Sequence, residues 1–461
     1  MKLTVAEILE ATGGSLAGRR AGSTGPDGGA GEGGGAGDPA GSVVVESFTQ
    51  DSRTVSPGAL FVPLLAERDG HDFIGAAVDS GAAAYLTARP DDPPVGDAVA
   101  IVVDDTQVAL EALGSAARDR IAGPVIGITG SVGKTSVKDF TAAVLNVDRP
   151  THAADRSHNN EIGVPLTLLN TPDGTSTVVV EMGARGPGHI AHLCGIARPT
   201  VGVVTRVAAA HTEIFGSLRA VARAKSELVE ALPSSGFAVL NAEDRRVAEM
   251  VSFTTAAVTT YGGVRADVTA RDVTLDDDLR PSFTLVHRTG EVPVTLAARG
   301  AHMVSNALAA ASVGIVAGLD LATIAAGLAA AELSPLRMDV VRTPTGGIVI
   351  NDAYNANPAS MSAALDALMA LDVKRRFAVL GVMAELTPKE HGPSHRAVAE
   401  RAAAGGVTVV VVGEEAYGLD PVEGPADAVA ALGGLGPGDA VLVKASRVAA
   451  LERVVDLLSG P

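Results

Sequence analysis

Residues 125–136 read VIGITGSVGKTS, and this stretch sets the fold class of the middle of the chain. A short apolar strand leads into a glycine-rich turn, and a helical pattern opens with a lysine and two hydroxyl residues. Backbone N–H groups of such a turn bind phosphate oxygens beside the positive end of the helix. Ile128 stands where the strict pattern has glycine, so the alternative is a plain turn with a solvated lysine. The strand–turn–helix context favours ATP binding by Gly130, Ser131, Gly133, Lys134, Thr135 and Ser136.

The composition excludes several classes of protein. The 461 residues are enough for about three domains. A net charge of −17 argues against nucleic acid or an anionic membrane as a partner. Cys194 is the single cysteine, which excludes a disulfide framework. No apolar run reaches the roughly 18 residues of a spanning helix, and residues 1–12 lack a signal-peptide pattern. We expect a cytoplasmic protein without membrane insertion.

The pattern along the chain predicts an α/β protein of three domains. Residues 1–105 form a small N-terminal α/β domain, in which the glycine-rich stretch 13–41 is a flexible loop. Residues 106–333 repeat strand, loop and helix with continuous hydrophobicity, typical of a central P-loop domain with a parallel sheet. Within it, residues 264–296 alternate in polarity and predict antiparallel ribbons. Residues 334–461 repeat the strand–helix pattern and predict a Rossmann-like C-terminal domain.

Polar side chains at the ends of the central strands predict a metal site. Thr135 follows the first strand, Glu181 ends the second, and His211 comes after the third. Because ligands bind beyond the carboxyl ends of parallel strands, these three residues are candidate metal ligands beside the nucleotide. A hydroxyl and a carboxylate suit magnesium. The alternatives are a surface carboxylate for Glu181 and a structural histidine for His211.

Other polar residues are ambiguous from residue type alone. Lys225 lies on a helical pattern, where a solvated lysine is the simpler interpretation. Asn159 and Asn160 precede another helix, and their amides serve either as ligand contacts or as turn and cap groups. Residues 351–358 follow a strand and combine three asparagines, an aspartate and a tyrosine, which favours a binding site over a linker.

Taken together, these residues resemble the Mur ligases of peptidoglycan synthesis. The resemblance runs nearly end to end, outside the glycine-rich loop. Segments 159–169 and 352–357 point to the branch that adds a dipeptide. The motifs that carry the resemblance are, in order, Asp51-Ser52-Arg53, residues 57–62, residues 129–135, 159–169, 181–184, 211–217, Lys225, 241–244, 306–310 and 352–357.

The resemblance implies an ATP-dependent amide ligase that adds D-Ala-D-Ala to UDP-N-acetylmuramoyl-tripeptide through an acyl phosphate. We expect a monomer, although the sequence does not settle the oligomeric state. The resemblance implies catalytic roles for Lys134, Glu181, His211 and Lys225, with Lys225 carbamoylated. It also implies magnesium bound by Thr135, Glu181, His211 and the modified lysine.

The same resemblance implies further binding residues. The nucleotide contacts are Asn306, Arg337, Asp352 and Asn355, with Arg337 crossing from the third domain. The substrate contacts are Asp51, Ser52 and Arg53 near the uridine diphosphate, together with Asn159 and Asn160. The chain departs from the family pattern at three positions near the nucleotide or in the C-terminal domain: Met303, Val382 and Ala445.

Two alternatives to this function stay open. The first is a related ligase that adds another amino acid, of the diaminopimelate or folylpolyglutamate type. The chain lacks the Asp-Asn-Pro-Arg motif of the diaminopimelate ligase, which weighs against that member. The second is a nucleotide-binding regulatory protein that has lost catalysis. The sequence leaves open the third residue of the tripeptide, the range of dipeptides, and the open or closed resting state.

Overall fold

The computed structural model describes residues 1–17, 40–155, 157–209 and 212–460. The predicted loop at 13–41 begins too early, because Ser15–Leu16 form a strand that pairs with Val102 and Ile101. At its other end, Ala6 N donates to Gly41 O at 3.1 Å. The remainder of the predicted loop, residues 18–39, lies outside the described residues.

The N-terminal unit surrounds a small sheet. Its elements are β1 (Leu3–Thr4), α1 (Val5–Thr12), β2 (Ser15–Leu16), β3 (Val44–Val45), β4 (Ser47–Thr49), β5 (Ala59–Phe61), α2 (Ile74–Asp79), β6 (Ala84–Thr87) and β7 (Val99–Val102). The strand order is β2-β7-β6-β5-β4, parallel except for β2, and β1 pairs with β3. Helix α1 was not predicted; Thr4 and Glu7 cap it reciprocally, which stabilises a short helix.

The middle unit is the largest. Its elements are α3 (Thr106–Asp119), β8 (Val125–Thr129), α4 (Lys134–Asn146), β9 (Thr151–Ala153), α5 (Gly163–Leu169), β10 (Thr177–Glu181), α6 (His189–Ala197), β11 (Val201–Val204), α7 (Thr212–Phe215), α8 (Leu218–Glu230), β12 (Phe237–Asn241), α9 (Arg245–Ala248), β13 (Ala257–Tyr261), β14 (Val268–Leu275), β15 (Pro281–His287), β16 (Gly290–Thr295), α10 (Met303–Val316) and α11 (Leu321–Ala330).

The central sheet has the order β16-β15-β14-β13-β12-β11-β8-β10-β9. Strands β9 to β13 run parallel with β8, and β14 to β16 extend the sheet as the predicted antiparallel ribbon. All residues of β8, β10 and β11 are buried, as their continuous hydrophobicity predicts. Helices α4 and α10 pack together on one side. The carboxyl ends of β8 and β10 therefore meet at one edge, where the functional residues lie.

The C-terminal unit repeats the α/β pattern. Its elements are β17 (Asp339–Arg342), β18 (Ile348–Asn351), α12 (Pro358–Ala370), β19 (Arg375–Leu380), α13 (Pro388–Ala404), β20 (Val407–Val411), α14 (Pro425–Ala431), β21 (Asp439–Lys444) and α15 (Glu452–Ser459). The strand order is β17-β18-β21-β19-β20, parallel except for β17. The predicted α/β class with a central parallel sheet and a Rossmann-like C-terminal sheet is confirmed. Among the described residues, no helix is long and apolar enough to cross a membrane.

Candidate active site

The glycine-rich turn joins β8 to α4 and needs its glycines for two separate reasons. Gly133 has φ of 82°, a left-handed conformation that costs other residues about 1–2 kcal/mol. A Cβ at Gly133 would also lie 2.5 Å from Asn306 Oδ1, and one at Gly130 would lie 1.8 Å from Thr205 Oγ1. Lys134 Nζ lies across the turn and donates to Gly130 O at 3.0 Å. The loop is therefore compact, with its lysine at the start of the helix.

The rest of the turn is anchored to the strand beside it. Ser131 Oγ donates to Ala208 O at 3.0 Å, and Thr205 Oγ1 donates to Val132 O at 2.6 Å. Ser136, a predicted nucleotide contact, is buried in the first turn of α4. These bonds hold the loop backbone in one conformation, which suits phosphate binding by main-chain N–H groups.

Glu181 is the centre of a buried polar cluster at the end of β10. Its Oε2 accepts from Thr135 Oγ1 at 2.7 Å, and its Oε1 accepts from Ser157 Oγ at 2.7 Å and Asn159 Nδ2 at 2.8 Å. Burial opposes ionisation, but the charge of Lys134 and these hydrogen bonds outweigh it and lower the pKa of Glu181. An ionised carboxylate thus touches a hydroxyl beside the phosphate loop, which is a suitable oxygen donor pair for magnesium.

Lys225 is buried, so the solvated interpretation from residue type alone is wrong. Only 2% of the residue is exposed, on a helix whose first turn is capped by Ser217. Burial, reinforced by the charge of Lys134 and opposed by that of Glu385, lowers the pKa of Lys225 to about 7. At neutral pH a large fraction of this amine is uncharged and therefore nucleophilic. His211, the predicted partner in this region, lies outside the described residues.

The C-terminal unit contributes side chains to the same site. Arg337 Nη2 donates to Thr135 Oγ1 at 2.8 Å, and its guanidinium lies 4.2 Å from the ring centre of Tyr354. The neighbours of Arg337 in sequence, Leu336 and Met338, have φ of 63° and 60°. Such positive values are rare for large side chains. With this backbone conformation, the side chain of Arg337 extends from the C-terminal unit to the phosphate loop of the middle unit.

A second group of polar residues, in the C-terminal unit, includes the predicted nucleotide contacts Asp352 and Asn355. Lys444 Nζ, at the end of β21, binds Asp352 Oδ2 at 2.5 Å and Asn355 O at 2.8 Å. Asn355 Nδ2 donates to Glu385 Oε1 at 3.1 Å. The polar loop after β18 is therefore held in place by a buried lysine, as a binding loop must be.

Most of these groups line one cavity of about 1130 Å³ between the middle and C-terminal units; Gly130, Ser136 and Lys225 are not among its lining residues. Of the predicted residues, the cavity brings together Ser131, Gly133, Lys134, Thr135, Asn159, Glu181, Asn306, Arg337, Asp352 and Asn355. Near them, Asn306 Nδ2 lies 3.5 Å from the sulfur of Met303, one of the three positions named above as departures from the family pattern.

Other predicted residues lie elsewhere. Asp51 and Arg53 form a two-point ion pair at 2.7 and 2.8 Å in the N-terminal unit, beside Ser52. Hydrogen bonds from Arg53 lower the pKa of Asp51 to about 2, although burial acts in the opposite direction. Asn160 Oδ1 accepts from Gly163 N at 2.8 Å in the turn that leads into α5. The predicted substrate contact of Asn160 stays a prediction.

Among the cavity residues that the sequence did not predict are three that hydrogen-bond to predicted ones: Ser157, Glu385 and Lys444. Ser157 lies two residues before Asn159, and this position in a polar loop was a usable signal. Glu385 and Lys444 come from separate strand ends of the C-terminal sheet. Their proximity to Asn355 depends on the strand order, which the sequence does not reveal.

Comparison with known proteins agrees with this geometry. Three family models match successive parts of the chain: the Mur ligase family catalytic domain at 45–120, the Mur ligase middle domain at 128–314, and the Mur ligase glutamate ligase domain at 336–459. A relative from Mycobacterium tuberculosis is 38% identical over 99% of this chain and 98% of its own length. The chain belongs to the Mur ligase family.

Several similar proteins are named as ligases that use D-alanyl-D-alanine or as MurF. The Mycobacterium tuberculosis relative is UDP-N-acetylmuramoyl-tripeptide–D-alanyl-D-alanine ligase, as is an Escherichia coli relative that is 36% identical over 90% of this chain and 94% of its own. A crystal structure of MurF from Acinetobacter baumannii has a TM-score of 0.85 and 26% identity, covering 100% of this chain and 99% of that one. MurF ligase from Thermotoga maritima in complex with ADP has a TM-score of 0.78 and 28% identity, covering 90% and 97%.

Proposed function

We propose that this chain is an ATP-dependent ligase that joins D-alanyl-D-alanine to UDP-N-acetylmuramoyl-tripeptide, as its relatives' name describes. The full-length similarity to those relatives and to an ADP-bound structure supports the proposal. The single observation that carries it is the meeting of Lys134, Thr135 and Glu181 under Arg337. This arrangement places positive charge and oxygen ligands where a triphosphate would lie.

The chemistry follows from the poor reactivity of a carboxylate toward amines. The terminal carboxylate of the tripeptide attacks the γ-phosphorus of ATP, forming an acyl phosphate and releasing ADP. The dipeptide amine then attacks the acyl carbon, loses a proton, and expels inorganic phosphate as the amide forms. Lys134 and Arg337 stabilise the negative charge on the transferring phosphoryl group. The remaining side chains hold the reacting groups in line.

Magnesium fits the oxygen donors at the end of β10. Thr135 and the ionised Glu181 would hold one ion, and His211 is proposed as a further ligand by resemblance. When bound, the ion supplies positive charge to the phosphate oxygens. Ser157 and Asn159 orient the carboxylate through their hydrogen bonds to Oε1.

Lys225 is proposed to act as a carbamate. Its uncharged Nζ attacks carbon dioxide, a C–N bond forms, and one proton leaves to solvent, giving an anionic carbamate. The low pKa of the amine supports this reaction near neutrality. A carbamate adds oxygen donors near the phosphate loop, where a free ammonium would repel a cation.

The remaining assignments are proposals of the same kind. We propose domains at 1–105, 106–333 and 334–461, and a uridine diphosphate site near Asp51, Ser52 and Arg53. We also propose a cytoplasmic location and a monomer; for the monomer, the support is that residues of one chain reach the cavity from two units.

Phosphate release tests the function directly. The assay combines ATP with the muramoyl tripeptide, with D-Ala-D-Ala, with both, and with neither. We expect sustained phosphate release only with both, together with a product heavier than the tripeptide precursor by mass spectrometry. No release with both substrates would support a regulatory protein, and release with a single amino acid in place of the dipeptide would support a different ligase.

A further inference from the structure

A histidine cluster lies behind the loop that follows β19, away from the residues that line the cavity. His391 and His395 are one turn apart on α13, and Glu414 follows β20. Their ligand atoms lie within 4.8 Å of one another, a spacing compatible with a metal ion. His391 Nε2 lies 3.1 Å from Glu414 Oε2. The contacts of the fully buried His395 decide what the cluster does.

Both ring nitrogens of His395 bind backbone groups. Met383 N lies 3.0 Å from His395 Nε2, and an N–H can only donate, so Nε2 must be the acceptor. His395 Nδ1 consequently carries the proton and donates to His391 O at 2.7 Å. Burial lowers the pKa of His395, which favours this neutral ring. The ring therefore has no free lone pair for a metal ion. The role of His395 is better inferred from its hydrogen bond with Met383 N.

The loop at 381–386 is fixed from several sides. Tyr417 Oη donates to Gly381 O at 2.8 Å, and its ring packs edge-on against His395 with centres 4.8 Å apart. Ala384 N donates to Ser446 Oγ at 3.0 Å. The loop backbone therefore has little freedom on either side of Met383.

This loop carries Glu385 into the cavity wall. Glu385 Oε1 accepts from Asn355 Nδ2 at 3.1 Å, and both residues line the cavity. Glu385 also acts at a distance on the buried amine of Lys225. His395 is thus connected to Asn355, a predicted nucleotide contact. It binds Met383 N, and Glu385, two residues further along the same loop, binds Asn355.

We propose that His395 is a positioning residue for nucleotide binding, which fixes Met383 N–H and thereby holds Glu385 against Asn355. The inference rests on the ATP site of the proposed function. It assigns His395 no contact with the nucleotide and no part in the chemical step.

Three variants test the proposal through ADP affinity by calorimetry and the KM for ATP. His395→Leu removes the acceptor, and we expect roughly tenfold weaker ADP binding and a similar rise in KM, as one lost buried hydrogen bond implies. His395→Gln keeps an acceptor and a donor and should restore most of the affinity. His391→Gln is the matched control: it keeps the backbone oxygen that accepts from His395 and changes only the ring that packs 4.2 Å from the His395 ring, and it should bind ADP like the wild type.

Two results would overturn the proposal: unchanged ADP affinity in a folded His395→Leu protein, or a Gln variant as weak as the Leu variant. If the Leu variant does not fold, Tyr417→Phe removes the bond to Gly381 O but keeps the ring. It should weaken ADP binding in the same direction, and wild-type affinity would count against the idea. ADP binding does not require ligation, so failure of the proposed function would be separately visible.

Discussion

Lys225 shows how burial changes the chemistry of one side chain. Its helix has an apolar face, and from residue type alone a lysine there is expected to point to solvent. The fold instead leaves 2% of it exposed and brings Lys134 near, which lowers its pKa to about 7. The role of Lys225 could be predicted only by resemblance, because desolvation is a property of the packed neighbours.

The pH dependence of Lys225 gives the first prediction. Only the neutral amine attacks carbon dioxide, so protonation below a pKa of about 7 should prevent carbamate formation. After removal of carbon dioxide and bicarbonate, we expect activity to be low at every pH; added bicarbonate should restore it above pH 7, and progressively less as the pH falls through 7. Activity is measured as phosphate release between pH 6 and 8.5. A bicarbonate response that is equal at every pH would contradict the carbamate role.

Replacement of the same lysine gives a second prediction. Lys225→Ala should be nearly inactive, because it removes the group that forms the carbamate. Short carboxylic acids such as formate or acetate should restore part of the activity by supplying the missing oxygen atoms. Lys389 is an exposed lysine on α13, and Lys389→Ala is the control. Its activity should equal that of the wild type, and the acids should not change it.

At the scale of elements, the turn between β8 and α4 combines backbone conformation with close packing. Gly133→Ala adds a Cβ 2.5 Å from Asn306 Oδ1 in a left-handed conformation with φ of 82°. Gly174 has the same φ of 82° but open space around its Cβ position, so Gly174→Ala isolates the backbone cost. We expect Gly174→Ala to lose about 1–2 kcal/mol of unfolding free energy, with ADP binding unchanged.

Gly133→Ala should lose more stability than this control and also lose ADP binding. Thermal unfolding and calorimetry measure the two effects. Combining Gly133→Ala with Asn306→Ala removes the steric conflict and should recover part of the stability. Equal losses of stability for the two alanine variants, with ADP binding intact, would show that the contact with Asn306 is unimportant.

Element prediction was accurate where the hydrophobic pattern was long and poor where it was short. Continuous hydrophobicity predicts strands at 125–128, 177–180, 201–204 and 237–240, and the structure has β8, β10, β11 and β12 there, each within one residue of the predicted ends. The two-residue strand β2 was predicted as loop, because so short a pairing depends on a partner strand far along the chain. Helix α1 was missed although its capping pair, Thr4 and Glu7, is a usable signal in the sequence.

At the scale of the whole molecule, Arg337 joins the C-terminal unit to the phosphate loop. Ser334 N at the same junction donates to Asp139 Oδ2 on α4 at 2.8 Å. Arg337→Lys removes the planar guanidinium that both stacks on Tyr354 and reaches Thr135. We expect kcat to fall roughly tenfold to a hundredfold, with ADP affinity less affected.

The exposed Arg342 provides a matched control for this prediction. It lies close by in sequence, and its side chain is 62% exposed beside Asp278. Arg342→Lys should keep wild-type kinetics. Small-angle scattering with ATP should show a less compact Arg337→Lys protein than wild type. Equal compactness and equal kcat would mean that Arg337 does not connect the two units in catalysis.

The sequence by itself determined the fold class, the phosphate loop, the strands that end at the site, and membership of the Mur ligase family, which the relatives confirm. These properties depend on local patterns of hydrophobicity, glycine and charge. Only the tertiary structure decided that Ser157, Glu385 and Lys444 join the cavity and that Lys225 is buried. Strand order and domain packing bring distant residues together and remove water from them, and neither is encoded in any short stretch of sequence.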